Sequence, residues 1–170
     1  MIKPIKIATI LPYKENYTFS KAQAAAIWVC DFFKYSKFKE NNFIYGNTKS
    51  RDYLTKNYIN IDINNLKSKF TSSTKEYCNN FVKKNKNEIF DIIEIHNRPL
   101  VFNYLKKQIN SKFILYFHND PLSMNGSKTS SERLNLLMNL DKIIFVSRWV
   151  QERFFIDLDK KLLNKTEIVY

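Results

Sequence analysis

The sequence predicts an α/β fold, a Rossmann-like doubly wound parallel sheet of about six or seven strands with helices on both faces. Three observations predict it. Short apolar, β-prone runs alternate with longer stretches of helical periodicity along the chain, the pattern of βαβ units. The strand-like runs are apolar at successive positions, as a sheet covered on both faces requires. At 170 residues, 44% hydrophobic and 15% aromatic, the chain can bury one such core, and a single domain over residues 1–170 is the simplest reading.

The elements follow in order. Ile5–Leu11 (IKIATIL) reads as the first strand. Ser20–Lys37 (SKAQAAAIWVCDFFKYSK) is helical, with Ser20 as N-cap and an alanine-rich interior. Asn42–Gly46 and Tyr58–Asp62 are short strands, the first ending on one of only two glycines. From Ser73 to about Asn87, Tyr77, Cys78, Phe81 and Val82 recur at helical spacing. Phe90–Ile95 is a strand. Pro99 to about Ile109 is a helix with proline in its first turn, where the missing N–H is harmless. Lys112–Phe117 is a strand, followed by a polar loop and a helix over Glu132–Leu140; Thr129 and Glu132 have capping-box spacing. Lys142–Val146 is a strand, and Ser147 N-caps the helix that follows. Thr166–Tyr170 has strand character, and a chain ending directly on a strand is expected to be a piece of something longer.

The formal net charge is +12. It suits an anionic partner such as nucleic acid, an anionic membrane or a phosphorylated substrate. A Lys/Asn/Ile-rich composition explains it equally well, since lysine is scattered and no run of basic residues occurs. No apolar run of about 18 residues is present, and the N-terminus enters a strand without a signal-peptide pattern, so a cytoplasmic location is expected. Cys30 and Cys78 have no CxxC spacing and read as reduced core thiols. With only two histidines, far apart, no structural zinc site is expected.

In an open parallel sheet, ligands bind beyond the carboxyl ends of the strands. The residues there are Pro12–Ser20, His96–Pro99, His118–Lys128 and Ser147–Arg148. Several chemistries are excluded. No GxGxxG follows the first strand and no GxxxxGK[ST] occurs, which argues against dinucleotide and P-loop sites. No GxSxG elbow is present, and the loops lack the acidic cluster of a receiver domain. What remains is a repeated phrase, HNRP at His96–Pro99 and HNDP at His118–Pro121, which holds both histidines of the chain. Each histidine can simply cap its strand, with Asn and Pro shaping the turn. Alternatively, both deliver imidazole and amide groups to one cleft, where Arg98 supplies a fixed positive charge.

The stretches DIIEIHNRP, FILYFHNDPLSMNGSKTSSERL and DKIIFVSRWVQERF resemble the N-terminal domain of GT-B-fold glycosyltransferases, family 4 (the glycosyl transferases group 1 type). The resemblance is specific between Asp91 and Phe155. It implies the acceptor-side half of a two-domain enzyme whose C-terminal donor domain is absent, so that this chain alone is an inactive fragment. The activity implied is transfer of a hexosyl group from a nucleotide-sugar donor, with retention, to a glycan or lipid-linked acceptor in lipopolysaccharide or other surface polysaccharide synthesis. No cofactor or metal is implied; the nucleotide sugar is a substrate.

By the same resemblance His118 and Asp120 are the catalytic candidates, His118 beside the reacting sugar and Asp120 orienting it or the acceptor. His96, Asn97, Arg98 and Asn119 line the acceptor side, with Ser127, Lys128 and Ser147 at the mouth. Family members carry a Gly-Gly pair in the first loop. Here FSKAQAA stands in its place, so Ser20, Lys21 and Gln23 are the substitutes, with Lys21 near a helix N-terminus able to draw an anion. Asp31–Lys39 (DFFKYSKFK) interleaves aromatics with lysines and suggests peripheral contact with an anionic membrane at the inner face. Two rivals stand beside this reading. One is a basic α/β module for an anionic ligand; nucleic acid is the less expected partner. The other is a stand-alone nucleotide or nucleotide-sugar enzyme of a different α/β family.

Overall fold

The computed structural model describes residues 4–63 and 72–169. Seven parallel strands form one sheet: β1 (Ile7–Ile10), β2 (Asn42–Gly46), β3 (Tyr58–Asn60), β4 (Ile92–His96), β5 (Lys112–Phe117), β6 (Lys142–Phe145) and β7 (Thr166–Ile168). Their order is β3-β2-β1-β4-β5-β6-β7, the doubly wound arrangement expected. β1 pairs with β2 through Ile7–Asn42 and with β4 through Ile7–Ile92. The strands after them therefore step away from β1 in opposite directions.

Among the described residues five α-helices connect the strands: α1 (Ala24–Tyr35), α2 (Ser73–Lys84), α3 (Pro99–Leu105), α4 (Ser130–Asn139) and α5 (Arg148–Phe154). Both faces of the sheet carry helices, but unequally. Ala8, Ile10, Ile93, Ile95, Leu115, Phe117, Ile143 and Phe145 pack on one face with the buried sides of α2, α3, α4 and α5. On the other face Leu11, Ile44 and Tyr58 pack with Ala26, Val29 and Cys30 of α1. Period-two alternation of the strands sends neighbouring residues to opposite faces, which is why Ile44 and Tyr45 enter different clusters.

That asymmetry corrects the expectation of strands apolar on both faces. The second face of β4 to β6, which α1 meets with Trp28, carries Glu94, His96, Tyr116 and Lys142. These meet a polar network: Tyr116 Oη donates to Glu94 at 3.2 Å, and Glu94 lies 2.8 Å from the Thr9 hydroxyl. Burial raises the Glu94 carboxyl above its ordinary value.

Local signals locate most elements. The capping box of α4 is complete, with Thr129 accepting from the Glu132 N–H and Glu132 accepting from the Thr129 N–H. Ser147 accepts from the Val150 N–H at the start of α5, and Pro99 opens α3. Ser20 is not the cap of α1. That helix starts four residues later, at Ala24, with Gln23 in the N-cap position and no side-chain cap of its own. The cysteines are free and buried, and burial pushes the Cys78 thiol up to about 12, which keeps it an inert thiol.

Candidate functional site

The sheet order reverses between β1 and β4, and a crevice opens there because the connections after the two strands diverge. A cleft of about 520 Å³ occupies this point, a size typical of small-molecule sites. Tyr13, Lys14 and Glu15 enter it from the loop after β1, and Asn97 and Arg98 from the loop after β4. Asn119, Asn125 and Lys128 form the wall contributed by the loop after β5. Gln23 and the first turn of α2, at Thr74, complete the lining. Tyr77 Oη, one turn further along α2, donates to the Leu11 carbonyl at 3.1 Å and locks that helix against the end of β1.

Glu15 organises the floor. It is buried, and its carboxylate accepts from the Ala26 N–H at 3.1 Å. Burial raises its pKa, opposed by the N–H groups of Ala26 and Ala25 and by the charge on Arg98. An acidic side chain thus supplies the cap that α1 lacks, as the positive end of a helix favours. This displaces the expectation for Lys21. The helix end at which an anion would bind is already filled by the chain's own carboxylate. Ser20 and Lys21 sit exposed beyond the Thr18–Tyr53 bridge, Ser20 bonded to Asp52 at 3.3 Å, and neither lines the cleft. Gln23 does.

The two tetrads split. Asn97 has a left-handed backbone, φ 52°, a conformation asparagine tolerates better than most residues. Its N–H donates to the Tyr116 carbonyl at 2.8 Å, and its side-chain oxygen accepts from the His118 N–H at 2.7 Å. The loops after β4 and β5 are tied together by this one residue. Arg98 is half-buried and lies over the Tyr13 ring, 5.5 Å from the centroid. Its Nε is buried without a hydrogen-bond partner. Gly126, at φ +92°, brings the loop after β5 against α3; a Cβ there would meet Leu100 and Pro99 at 3.1–3.2 Å.

The histidines turn the other way, toward α1. His96 Nδ1 and His118 Nε2 are 2.8 Å apart. His96 stacks on Tyr116, centroids 4.5 Å apart at 9°, and Trp28 of α1 covers His118 edge-on at 5.1 Å. The cause is strand parity. Ile95 and Phe117 face the four-helix side, so His96 and His118 must face the opposite one. Neither lines the cleft that Asn97, Arg98 and Asn119 line. Two nitrogens this close share one proton. His96 Nε2 is buried without a partner, and an orphaned N–H is rarer than an unpaired acceptor. The favoured arrangement therefore has His96 Nδ1–H donating to His118 Nε2, which leaves the His118 proton on Nδ1. Burial drives both imidazoles below their ordinary pKa, His118 to about 4. At neutral pH the pair is uncharged, and His118 is a hydrogen-bond donor rather than a base.

The remaining candidates have structural partners. Asp120 caps the 3-10 turn Pro121–Ser123, accepting from the Leu122 N–H, and pairs with Arg153 at 2.9 Å. The Arg153 guanidinium holds its carboxyl below the ordinary value, and no bond joins it to His118. Ser127 is fully buried and donates to the Pro121 carbonyl at 2.6 Å. Ser147 is the helix cap already described. Lys128 is exposed at the cleft.

Tyr13, Lys14, Glu15 and Asn125 are cleft residues that lie in the strand-end stretches Pro12–Ser20 and His118–Lys128 but were not singled out within them. The first three carry a signal of position, since residues immediately after a strand stay at the sheet edge while later ones are carried off. Arg133 had a clearer one. It shares the stripe Arg133-Leu136-Leu137-Leu140, the spacing of a core-facing helix side. Buried there, it donates to the carbonyls of Ser127, Lys128, Phe154 and Ile156. It thereby clips the wall of the cleft to the end of α5. Among the described residues no three His, Cys, Asp or Glu side chains converge on a common point.

Compared with known proteins, the chain matches no family model and no curated protein.

Proposed function

We propose that this chain is the acceptor-side domain of a retaining GT-B-fold glycosyltransferase. On this reading the enzyme moves a sugar from a nucleotide-sugar donor to a glycan or lipid-linked acceptor of surface polysaccharide synthesis. The observation that carries the reading is the polar cleft at the β1–β4 switch point, walled by the very loops on which the sequence resembles that family. The amides of Gln23, Asn97, Asn119 and Asn125 suit sugar hydroxyls. His118, neutral on the α1 side of the sheet, stands outside this cleft and is assigned no contact with the acceptor there. The cleft offers the donor diphosphate no glycine-lined helix end, because Glu15 fills it, so the donor's phosphates are assigned to a second domain.

No described helix is long and apolar enough to cross a membrane. The outer side of α1 exposes Ile27, Phe32 and Tyr35 beside Lys34, and peripheral contact with an anionic inner leaflet is proposed through that side.

The test is to supply the product of the complete gene with a panel of nucleotide sugars and lipid-linked acceptors. Nucleotide release, and transfer detected by mass spectrometry with retained anomeric configuration by NMR, are expected. Absence of transfer and of donor hydrolysis across the panel would sink the reading.

A second reading, a basic module for an anionic ligand, is favoured by one observation: Lys14, Arg98 and Lys128 converge on the cleft. As a nucleic-acid module it requires binding to arbitrary polyanions that falls steeply with salt; salt-insensitive or absent binding removes that form.

A further inference from the structure

Three arginines among the described residues are half-buried or buried: Arg98, Arg133 and Arg153. Two of them are matched. Arg133 donates to four carbonyls, and Arg153 forks onto the Asp120 carboxylate through Nε and an Nη. Arg98 is the exception. Its side chain makes no hydrogen bond and no ion pair with any described residue, its Nε is buried without a partner, and its guanidinium lies over the face of Tyr13. A guanidinium carries five donors and cannot shed its charge. Here the Nε–H is buried with no acceptor among the described residues.

The surroundings say what kind of acceptor. Lys14 and Lys128 line the same cleft from the loops on either side. Glu15, the one carboxylate among the described lining residues, accepts from the Ala26 N–H in the first turn of α1 and forms no ion pair with Arg98, whose charge still acts on it. Three cations therefore face the cleft against one acidic group that is already engaged. Among the described residues the rest of the polar lining is neutral, the amides of Asn97, Asn119, Asn125 and Gln23 with the hydroxyls of Tyr13, Thr74 and Ser123. A neutral sugar would use the amides and leave Arg98 unmatched. A ligand with an oxyanion would use both.

We propose that the cleft takes an acceptor carrying an oxyanion, a phosphate monoester or carboxylate on a sugar-sized body, bound by the Arg98 fork with Lys14 and Lys128 beside it. The inference rests on reading the cleft as the acceptor site, but its binding step is tested without any transfer. The guanidinium carbon lies over the Tyr13 ring, 5.5 Å from its centroid, a cation–π contact that helps hold Arg98 at the cleft.

The experiment is calorimetric titration of the protein at 0.15 M ionic strength with glucose 6-phosphate, glucuronate, glucose and inorganic phosphate, on wild type, R98Q, R98K, K128Q and K86Q. At least one anionic sugar is expected to bind about tenfold or more tightly than glucose, the worth of a charge-assisted bidentate contact. R98Q should remove that preference and R98K should restore only part of it. K128Q, an exposed loop change that leaves the core untouched, should weaken the anionic sugar severalfold, which keeps the test decisive should R98Q unfold. K86Q removes the same charge at the opposite edge of the sheet and should change nothing. Equal affinity for glucose and both anionic sugars overturns the proposal, as does a loss in K86Q matching that in R98Q, or phosphate binding that survives R98Q undiminished. Transfer to a neutral acceptor without anion binding would overturn this inference and leave the proposed function standing. Anion binding with no transfer in the complete protein would do the reverse.

Discussion

His96 Nδ1 lies 2.8 Å from His118 Nε2, and the pair is roofed by Trp28 and floored by Tyr116. The only two imidazoles of the chain are therefore one unit, held neutral on the α1 side of the sheet, while the residues that follow each of them turn to the cleft.

The pair makes stability depend on pH with a definite sign. Both folded pKa values are lowered, His118 to about 4 and His96 well below 6.5. Below pH 6.5 the unfolded chain binds protons that the folded chain does not, so stability is full above pH 6.5 and is lost as pH falls toward 4. Each imidazole contributes about 1.4 kcal/mol per pH unit within that window. Glu15 and Glu94, with values raised above 4.5, slope the other way above that pH, so the measurement is a difference. Urea unfolding between pH 4 and 7 is expected to show a slope smaller by about one proton in H118Q than in wild type. Identical slopes would mean that His118 is not buried neutral.

Asn97 carries two duties, a left-handed backbone and the acceptor for the His118 N–H. N97A fails at both and is expected to lose about 2–4 kcal/mol, from the φ penalty and the abandoned donor. N97G adopts the backbone freely but still lacks the acceptor, and its extra unfolded-state freedom offsets some of the gain. It should recover part of the loss and no more. Equilibrium unfolding decides it; N97G equal to wild type would show that the bond to His118 contributes nothing.

Arg133 is 1% exposed and holds four carbonyls from the cleft wall and the end of α5. R133M fills much of the same volume but leaves those acceptors unmatched, and a loss of about 3 kcal/mol or more is expected. R133K should recover only a fraction, because an ammonium cannot reproduce the planar fork. Hydrogen exchange near Ser127 and Lys128 should rise in R133M before global unfolding. A change under about 1 kcal/mol with unchanged exchange would refute the clip.

Much of the fold is legible in the chain because its signals are local. The spans of β2 and β5, the capping box at Thr129–Glu132, the cap at Ser147 and the proline at the start of α3 each depend on a few neighbouring residues. The start of α1 is not legible in that way. Ser20 has the right chemistry for a cap, yet the helix begins at Ala24 because its cap is Glu15, eleven residues before Ala26 in sequence and brought there by the turn after β1.

The candidate site divides along the same line. Sequence by itself determined that the strand ends are where polar groups gather, and it singled out Asn97, Arg98, Asn119, Gln23 and Lys128, all of which line one cleft. Only the tertiary structure decided that the histidines leave that cleft for the α1 face, that Asp120 and Ser127 are taken by Arg153 and the Pro121 carbonyl, and that the buried Arg98 Nε is left without a partner. The physical reason is that a residue's kind is written at its own position. Its partner is set by strand parity and by loops folding back over many residues, and whether a charge is paired or free depends on the partner.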